Sequence, residues 1–278
     1  MRVARDSEPE LVRSHFYQNL SKAAHSHRRM GFFYQPVVEA LISRIDHPPG
    51  EMVVDLGCRS GWMSKGVISH FPDARVVGVE GVVEMLRVAR DENFESGRFT
   101  PLAALPQQLP LADNSVDLVV SALSICHHSL TSALKEVERV IAPGGQFLAA
   151  FVARGTLVEL ASAWSRVDDC SHIHPFSGLE EVGDALVEAG FVNSVADRAH
   201  WKVEYSELET LFSDLRALGE TNVLTQRRRT LTGKRRFDRL RSALELSRGS
   251  DGKIPISLEV IYAFGQLPPS RPVEFERS

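Results

Sequence analysis

The segment 53–62 constrains the fold of this chain more than any other part of the sequence. An apolar run passes through an acidic residue, Asp55, and then enters a turn that contains Gly57 and Gly61. A helical pattern follows the turn, and a second apolar run ends in Glu80, about 20 residues further on. A strand, a glycine-containing turn, a helix and a second strand in this order predict a βαβ unit with parallel strands.

The same alternation continues through the first half of the chain. The strand-like runs lack polar alternation, which is typical of parallel strands that helices cover on both faces. The sequence therefore predicts an α/β fold with a doubly wound, mostly parallel sheet. We predict strands at 52–56, 75–79, 116–121 and 146–152, and helices at 61–70, 82–92 and 130–140.

Helical patterns and strands also flank this core. Residues 11–45 have apolar positions at helical spacing, and His47-Pro48-Pro49-Gly50 ends that pattern. The second half predicts helices at 157–167, 178–190, 206–218 and 234–247, and strands at 191–203 and 254–264. We expect one domain over 11–266, with 205–250 as a helical lid or substrate-docking insertion before the last strand, and disordered ends at 1–10 and 267–278.

Composition and charge exclude several classes of protein. A hydrophobic content of 43% and a net charge of −4 are typical of a soluble globular protein and create no field that attracts nucleic acid or membrane. Residues 1–10 lack the apolar core of a signal peptide, and no apolar run reaches the roughly 18 residues of a membrane span. Three cysteines are too few, and odd in number, for a disulfide framework, which favours a reducing cytoplasm.

The turn after the first strand has the features that an adenosine cofactor requires. Glycines at 57 and 61 let the backbone approach a ligand closely, and the N-terminus of the next helix favours an anionic group. Glu80 at the end of the second strand can accept both ribose hydroxyls, and Asp55 can orient the turn through its backbone amides. The spacing lacks the third glycine of the dinucleotide fingerprint, and a plain strand-to-helix connection is the alternative.

The run Asp55-Leu56-Gly57-Cys58-Arg59-Ser60-Gly61 resembles motif I of the class I S-adenosylmethionine-dependent methyltransferases. Glu80-Gly81-Val82-Val83-Glu84-Met85-Leu86 resembles the segment that follows it in that class. The resemblance implies a Rossmann-like, seven-stranded sheet with N-terminal helices. It also implies that S-adenosylmethionine is the cofactor and contacts Asp55, Gly57, Cys58, Arg59, Gly61, Glu80, Met85 and Ser121. For Met85, packing on the adenine and burial in the core are equally open.

A narrower resemblance, to the malonyl-acyl-carrier-protein O-methyltransferases of biotin synthesis, covers about residues 11–266. It lies in Ser21-Lys22-Ala23-Ala24-His25-Ser26, Leu109-Pro110-Leu111-Ala112, Leu218-Gly219-x-x-Asn222, Leu231-Thr232-Gly233-Lys234 and Ile254-Pro255-Ile256. That family methylates the free carboxylate of a malonyl group. The resemblance implies an acyl carrier protein bearing malonyl-phosphopantetheine as partner, no nucleic-acid or membrane partner, and a monomer or weak oligomer.

A carboxylate substrate simplifies the chemistry that the site must perform. Because a carboxylate is ionised near pH 7, its methylation needs alignment in a dry pocket rather than a strong general base. A cation must hold the malonyl group without quenching its nucleophilic oxygen. The resemblance places His27 and His127 close to the reacting groups, and we take them as the candidate catalytic residues.

The segment 227–241 is strongly basic although the whole chain is acidic. It contains eight cationic side chains against one acid, Asp238. Such a patch fits an acidic carrier protein or its phosphopantetheine, and a solvated helix face is the alternative. The candidate docking residues are Arg227, Arg228, Arg229, Lys234, Arg235 and Arg236.

Four positions depart from the family pattern, and all are expected around one pocket. Arg59 replaces a glycine, Leu105 replaces an acid that contacts adenine, His27 replaces a tyrosine, and Cys126-His127 replace Gln-Trp. The guanidinium of Arg59 either pairs with the cofactor carboxylate or fills the pocket and repels the sulfonium. Two hypotheses follow, an active O-methyltransferase and a non-catalytic paralogue that serves as a binding or regulatory partner.

Two short segments also carry residue types that bind metals. They are Cys126-His127-His128 and Cys170-Ser171-His172-Ile173-His174. Their spacing matches no standard zinc motif, so we predict packed or surface histidines and no metal site.

Overall fold

The computed structural model describes residues 11–45, 50–228, 230 and 232–269, and its described strands form a single sheet. The strand order is β3-β2-β1-β4-β5-β7-β6. The bounds are β1 Met52–Leu56, β2 Arg75–Glu80, β3 Phe99–Ala103, β4 Val116–Ala122, β5 Ile141–Val152, β6 Val192–Tyr205 and β7 Ile254–Gln266. Strands β1 to β5 are parallel, whereas β7 runs antiparallel to both β5 and β6. The predicted seven-stranded, mostly parallel sheet is confirmed.

Nine α-helices lie within the described ranges. They are α1 Arg13–His27, α2 Gly31–Ile42, α3 Trp62–His70, α4 Val83–Asn93, α5 Leu130–Val140, α6 Val158–Ser165, α7 Leu179–Glu188, α8 Leu208–Ala217 and α9 Lys234–Glu245. Helices α2 and α3 pack on one face of the sheet, and α5 and α7 pack on the other. Val53 and Val54 are therefore both fully buried although they face opposite sides of β1.

The predicted N-terminal helices are confirmed as α1 and α2. The chain turns after α1, and the Trp62 ring packs where a side chain at Gly31 would lie. Strand β3 escaped prediction because it is an edge strand that contains Pro101 and is mostly exposed or half-buried, so it has no apolar run. The proline segment 46–49 lies outside the described residues.

The insertion between β6 and β7 builds a small core together with α6, which precedes β6 in the chain. Helices α6, α8 and α9 contribute Leu160, Leu211 and Leu240 to one buried cluster with residues of β7. This cluster lies beside the carboxyl ends of the parallel strands, where open α/β sheets bind their ligands. The insertion is helical as predicted, and its role as a lid stays a prediction. None of the described helices is both long and apolar enough to cross a membrane.

Candidate functional site

The loop between β1 and α3 has three residues with left-handed backbone. Gly57 has a φ of 72°, Gly61 a φ of 88° and Arg59 a φ of 50°. Arginine rarely adopts such a φ, because its Cβ crowds the following carbonyl, so the loop holds Arg59 in a strained conformation.

The two loop glycines face other parts of the protein. A Cβ on Gly57 would overlap the Ser124 side chain, whose Oγ donates a 2.7 Å hydrogen bond to the carbonyl oxygen of Gly57. A Cβ on Gly61 would lie 2.6 Å from Nδ2 of Asn93 on α4. Both glycines are therefore required by packing within the protein, in addition to any role toward a ligand.

Asp55 and Ser121 stabilise the loop and the strand end before it through buried hydrogen bonds. Asp55 is fully buried, and its Oδ2 accepts a 2.6 Å hydrogen bond from Ser64 Oγ on α3. Burial raises the pKa of Asp55 to about 7. Ser121 Oγ donates a 2.7 Å hydrogen bond to the carbonyl oxygen of Leu56, which ties β4 to the end of β1.

The remaining predicted cofactor residues lie around the end of β2. Glu80 is buried there, and its Oε1 accepts a 3.0 Å hydrogen bond from the backbone N–H of Val82. Cys58 packs with helix α4, and Met85 belongs to the cluster between α1 and α4. Met85 is thus a core residue, and its contact with adenine stays a prediction. The side chain of Leu105 lies against Gly81 and offers an apolar wall in place of an acid.

The guanidinium of Arg59 lies near the carboxylate of Glu220, and only 4% of the residue is exposed. Its Nη2 lies 3.8 Å from Oε1 of Glu220, and its Cζ lies 5.4 Å from the centre of the Phe16 ring on α1. Burial opposes the charge, but Glu80 and then Glu220 outweigh burial and raise the pKa of Arg59. Among the described residues, none forms a hydrogen bond with the buried Nη2.

Glu220 also pairs with His127, a residue that is almost completely buried. Nε2 of His127 lies 3.0 Å from Oε2 of Glu220. Burial disfavours the imidazolium, but Cys126 and Glu220 outweigh burial and raise the pKa of His127 to about 10. For Glu220, burial is outweighed by His127 and then Arg59, which lower its pKa to about 2. Glu220 is therefore a carboxylate that both buried cations share, and Glu80 adds to the stabilisation of Arg59.

His27 lies in a different environment from His127. Its Nδ1 is 2.6 Å from Ser60 Oγ in the loop, and its Nε2 is 3.1 Å from the Tyr34 hydroxyl on α2. Burial, reinforced by the charge of Arg59, lowers the pKa of His27 to about 3, so it is neutral. The ring connects α1, the loop and α2, and the catalytic assignments of His27 and His127 stay predictions.

A largely apolar cavity of about 510 Å³ adjoins the Glu220–His127 pair. Its walls come from α2, α6, α8, α9 and β7, for example Phe33, Leu160, Leu211, Leu240 and Leu258. Its polar lining includes His127, His174 and Glu220. The cavity and the loop after β1 therefore meet at one carboxylate, because Glu220 contacts both His127 and Arg59.

The sequence patterns did not identify Glu220, and they named His174 only as a residue type that can bind metals. A signal for Glu220 existed, because the family-like block Leu218-Gly219-x-x-Asn222 contains this position. A Cβ on Gly219, whose φ is 77°, would lie 2.9 Å from Cδ2 of Leu20. The glycine thus lets the chain pass close to α1 and delivers the next residue, Glu220, to the site.

Comparison with known proteins identifies the family. The model of a methyltransferase domain matches residues 54–149. The chain is 34% identical to the malonyl-[acyl-carrier protein] O-methyltransferase of Xylella fastidiosa (strain M23), over 95% of this chain and 91% of that relative. The chain belongs to the malonyl-[acyl-carrier protein] O-methyltransferase family. The enzyme prediction is thereby confirmed, and the comparison gives no support to a non-catalytic paralogue.

Solved structures of lower identity share the fold. The YcgJ protein of Bacillus subtilis superposes with a TM-score of 0.61 at 19% identity, covering 85% of this chain and 100% of that one. The geranyl diphosphate C-methyltransferase of Streptomyces coelicolor A3(2), solved with Mg²⁺, geranyl diphosphate and S-adenosyl-L-homocysteine, has a TM-score of 0.51 at 16% identity. It covers 84% of this chain and 79% of its own. These likenesses confirm the methyltransferase fold.

The basic segment 227–241 has two parts that differ in their contacts. Arg227 donates to the carbonyl oxygen of Leu224, and Arg228 donates to Thr230 and lies 3.7 Å from Asp168. The other part begins α9, where Lys234 and Arg235 are exposed and Arg236 is half-buried. No ion pair involves these three side chains within the described residues. Arg229 lies outside the described residues, and docking by this segment stays a prediction.

The Cys/His segments do not form a metal cluster. His172 Nε2 lies 2.8 Å from Asp168 Oδ1, and its ring stacks on Trp164 with a centroid distance of 3.6 Å. His127 pairs with Glu220. Among the described residues, no group of three or more His, Cys, Asp or Glu side chains has a geometry that would bind a metal ion.

Replacing Glu220 with glutamine will lower the pKa of His127 from about 10, because burial then acts against the imidazolium without the carboxylate. The folded wild type binds the His127 proton more tightly than the unfolded chain does, which adds to the free energy of unfolding. This contribution is lost as pH rises from 6.5 through about 10. The ionised carboxylate of Glu220 also adds to the free energy of unfolding, and this contribution is lost as pH falls from 4.5 through about 2. The stability difference, about 3 kcal/mol for a buried pair, is thus largest between pH 4.5 and 6.5.

NMR titration of the His127 ring and urea unfolding across this pH range measure the two effects. Glu209→Gln is the matched control, because Glu209 pairs with Arg241 on the exposed side of the insertion. A His127 ring that titrates identically in wild type and Glu220→Gln would show that Glu220 does not hold the proton.

Proposed function

We propose that this protein transfers a methyl group from S-adenosylmethionine to the free carboxylate of a malonyl group carried by acyl carrier protein, in biotin synthesis. Family membership supplies the substrate class, through a relative that is 34% identical over nearly the whole chain. The observation that carries the proposal is the apolar cavity that reaches the cofactor-type loop through Glu220. Three free thiols, Cys58, Cys126 and Cys170, support a cytoplasmic setting.

The residues around the loop fit the adenosine part of the cofactor. Glu80 at the end of β2 would accept the ribose hydroxyls, and the backbone of 57–61 would face the amino-acid end. The side chain of Leu105, against Gly81, would contact the adenine. When bound, S-adenosylmethionine supplies an electrophilic methyl group on a cationic sulfonium. The Arg59 guanidinium, which lies 3.8 Å from Glu220 and is also stabilised by the charge of Glu80, would have to move aside for that second cation.

The cavity supplies what a carboxylate nucleophile requires. The malonyl carboxylate is ionised at neutral pH, so no residue has to remove a proton. Apolar walls such as Leu160 and Leu211 exclude water and strengthen the electrostatic forces inside. The imidazolium of His127, whose charge is stabilised by Glu220, attracts the carboxylate to the end of the cavity nearest Arg59.

Incubation with malonyl-acyl carrier protein and S-adenosylmethionine tests the proposal. Mass spectrometry is expected to detect an added methyl group on the malonyl thioester, and alkaline treatment to release methanol from the ester. Acetyl-acyl carrier protein, which lacks the second carboxylate, is the matched control and will remain unmodified. An unmodified malonyl carrier, with a protein that gives no calorimetric signal with S-adenosylmethionine, would refute the function.

Arg59→Gly will tighten the binding of S-adenosylmethionine by at least about tenfold, equal to about 1.4 kcal/mol. The substitution removes a buried cation that competes with the sulfonium for Glu80 and Glu220. Calorimetry with S-adenosylmethionine and with uncharged S-adenosylhomocysteine measures the effect, which is expected to be larger for the charged ligand. Arg59→Lys, which keeps the charge, is the control. Weaker binding to Arg59→Gly would instead mean that Arg59 contacts the cofactor carboxylate.

Reversing Arg235 and Arg236 to glutamate will weaken binding of the acidic carrier protein by at least about tenfold at low salt and flatten the salt dependence of Kd. These side chains begin α9 without an ion pair in the described part of the chain. Arg75→Glu/Arg90→Glu, two exposed positions outside the insertion, is the matched control. Equal affinity of both double variants would make the basic segment a solvated face only.

A further inference from the structure

His174 is a half-buried side chain whose polar ring atoms the described part of the chain does not use. It lies in the segment between α6 and α7 and forms part of the cavity wall. Both of its ring nitrogens are buried, and neither has a hydrogen-bond partner among the described residues. The ring packs against His127, with a centroid distance of 5.4 Å, and against Phe176, with a centroid distance of 6.0 Å.

Several other polar groups around this cavity are already paired. His127 pairs with Glu220 at 3.0 Å, and His172 with Asp168 at 2.8 Å. Tyr34 contacts His27, Thr156 bonds the backbone of Glu259, Asn222 donates to the carbonyl oxygen of Ser171, and Ser257 donates to Glu159. Of these polar side chains on the cavity wall, His174 is the one whose hydrogen-bonding capacity the described chain leaves unfilled.

A histidine at this place does not help the protein to fold. An unpaired buried polar group costs about 1 to 3 kcal/mol relative to a paired one, and an apolar ring of similar shape would avoid that cost. Burial, together with the charge of His127, lowers the pKa of His174 to about 4, so the ring is neutral at physiological pH. A neutral imidazole presents one N–H donor and one acceptor.

We propose that the ring N–H of His174 donates a hydrogen bond to an oxygen of the substrate's malonyl carboxylate. The position beside the His127 imidazolium favours the carboxylate over the uncharged thioester, because the carboxylate is drawn to the cationic end of the cavity. A neutral donor orients a carboxylate without forming a second ion pair, so the attacking oxygen keeps its nucleophilicity. This assignment rests on the proposed function and adds a specificity residue for dicarboxylic acyl groups.

His174→Phe and His174→Asn test the assignment, since phenylalanine keeps the ring contacts and asparagine keeps an N–H donor. We expect His174→Phe to lower kcat/KM for malonyl-acyl carrier protein ten- to hundredfold while its Tm equals or exceeds that of the wild type. Asparagine is expected to restore part of kcat/KM. The affinity for S-adenosylmethionine should stay unchanged in both variants. A structural residue would behave differently, because its loss would lower Tm and kcat/KM together.

A binding measurement separates this inference from the proposed function. Wild-type protein is expected to bind malonyl-pantetheine more tightly than acetyl-pantetheine, and His174→Phe to lose that preference. If the wild type methylates malonyl-acyl carrier protein and His174→Phe has the same kcat/KM, the role of His174 is overturned and the proposed function stays intact. A wild type without turnover would refute the function. In that case, equal malonyl preference of wild type and His174→Phe, or no preference in either, would overturn the inference as well.

Discussion

The carboxylate of Glu220 holds this site together. It forms ion pairs with Arg59, in the loop after β1, and with His127, in the turn after β4. Two buried cations of like sign would repel each other and destabilise the fold without it. Glu220 itself follows α8, so the same contact attaches the helical insertion to the carboxyl edge of the sheet. The apolar cavity depends on that attachment, because the insertion provides much of its wall.

The parts of the fold that sequence predicted are those fixed by local patterns. The first βαβ unit, its glycine turn and the acidic residue Glu80 follow from apolar runs and turn chemistry within 30 residues. Edge strand β3 gave no such signal, because its side chains are mostly exposed or half-buried. Glu220 and His174 could not be predicted for a different reason. They reach the site from loops far apart in the chain, and only tertiary packing brings them beside His127.

The glycines of the loop show how one pattern can have two causes. The sequence pattern predicts these glycines for the close approach of a ligand, whereas in the structure Ser124 and Asn93 fill the space next to them. Both requirements act on the same two positions, so the motif alone cannot separate them. Arg59 separates the two requirements, because it stands between the two glycines where the family pattern has another glycine. The loop nevertheless keeps a left-handed backbone at Gly57, Arg59 and Gly61.

Helix α1 covers the two halves of the site through residues one turn apart. Phe16 lies over the guanidinium of Arg59, and Leu20 packs against Gly219, immediately before Glu220. Residues four apart lie on the same face of a helix, so a rigid displacement of α1 loosens both contacts at once. The cover of the loop and the support of Glu220 therefore depend on the position of the same helix.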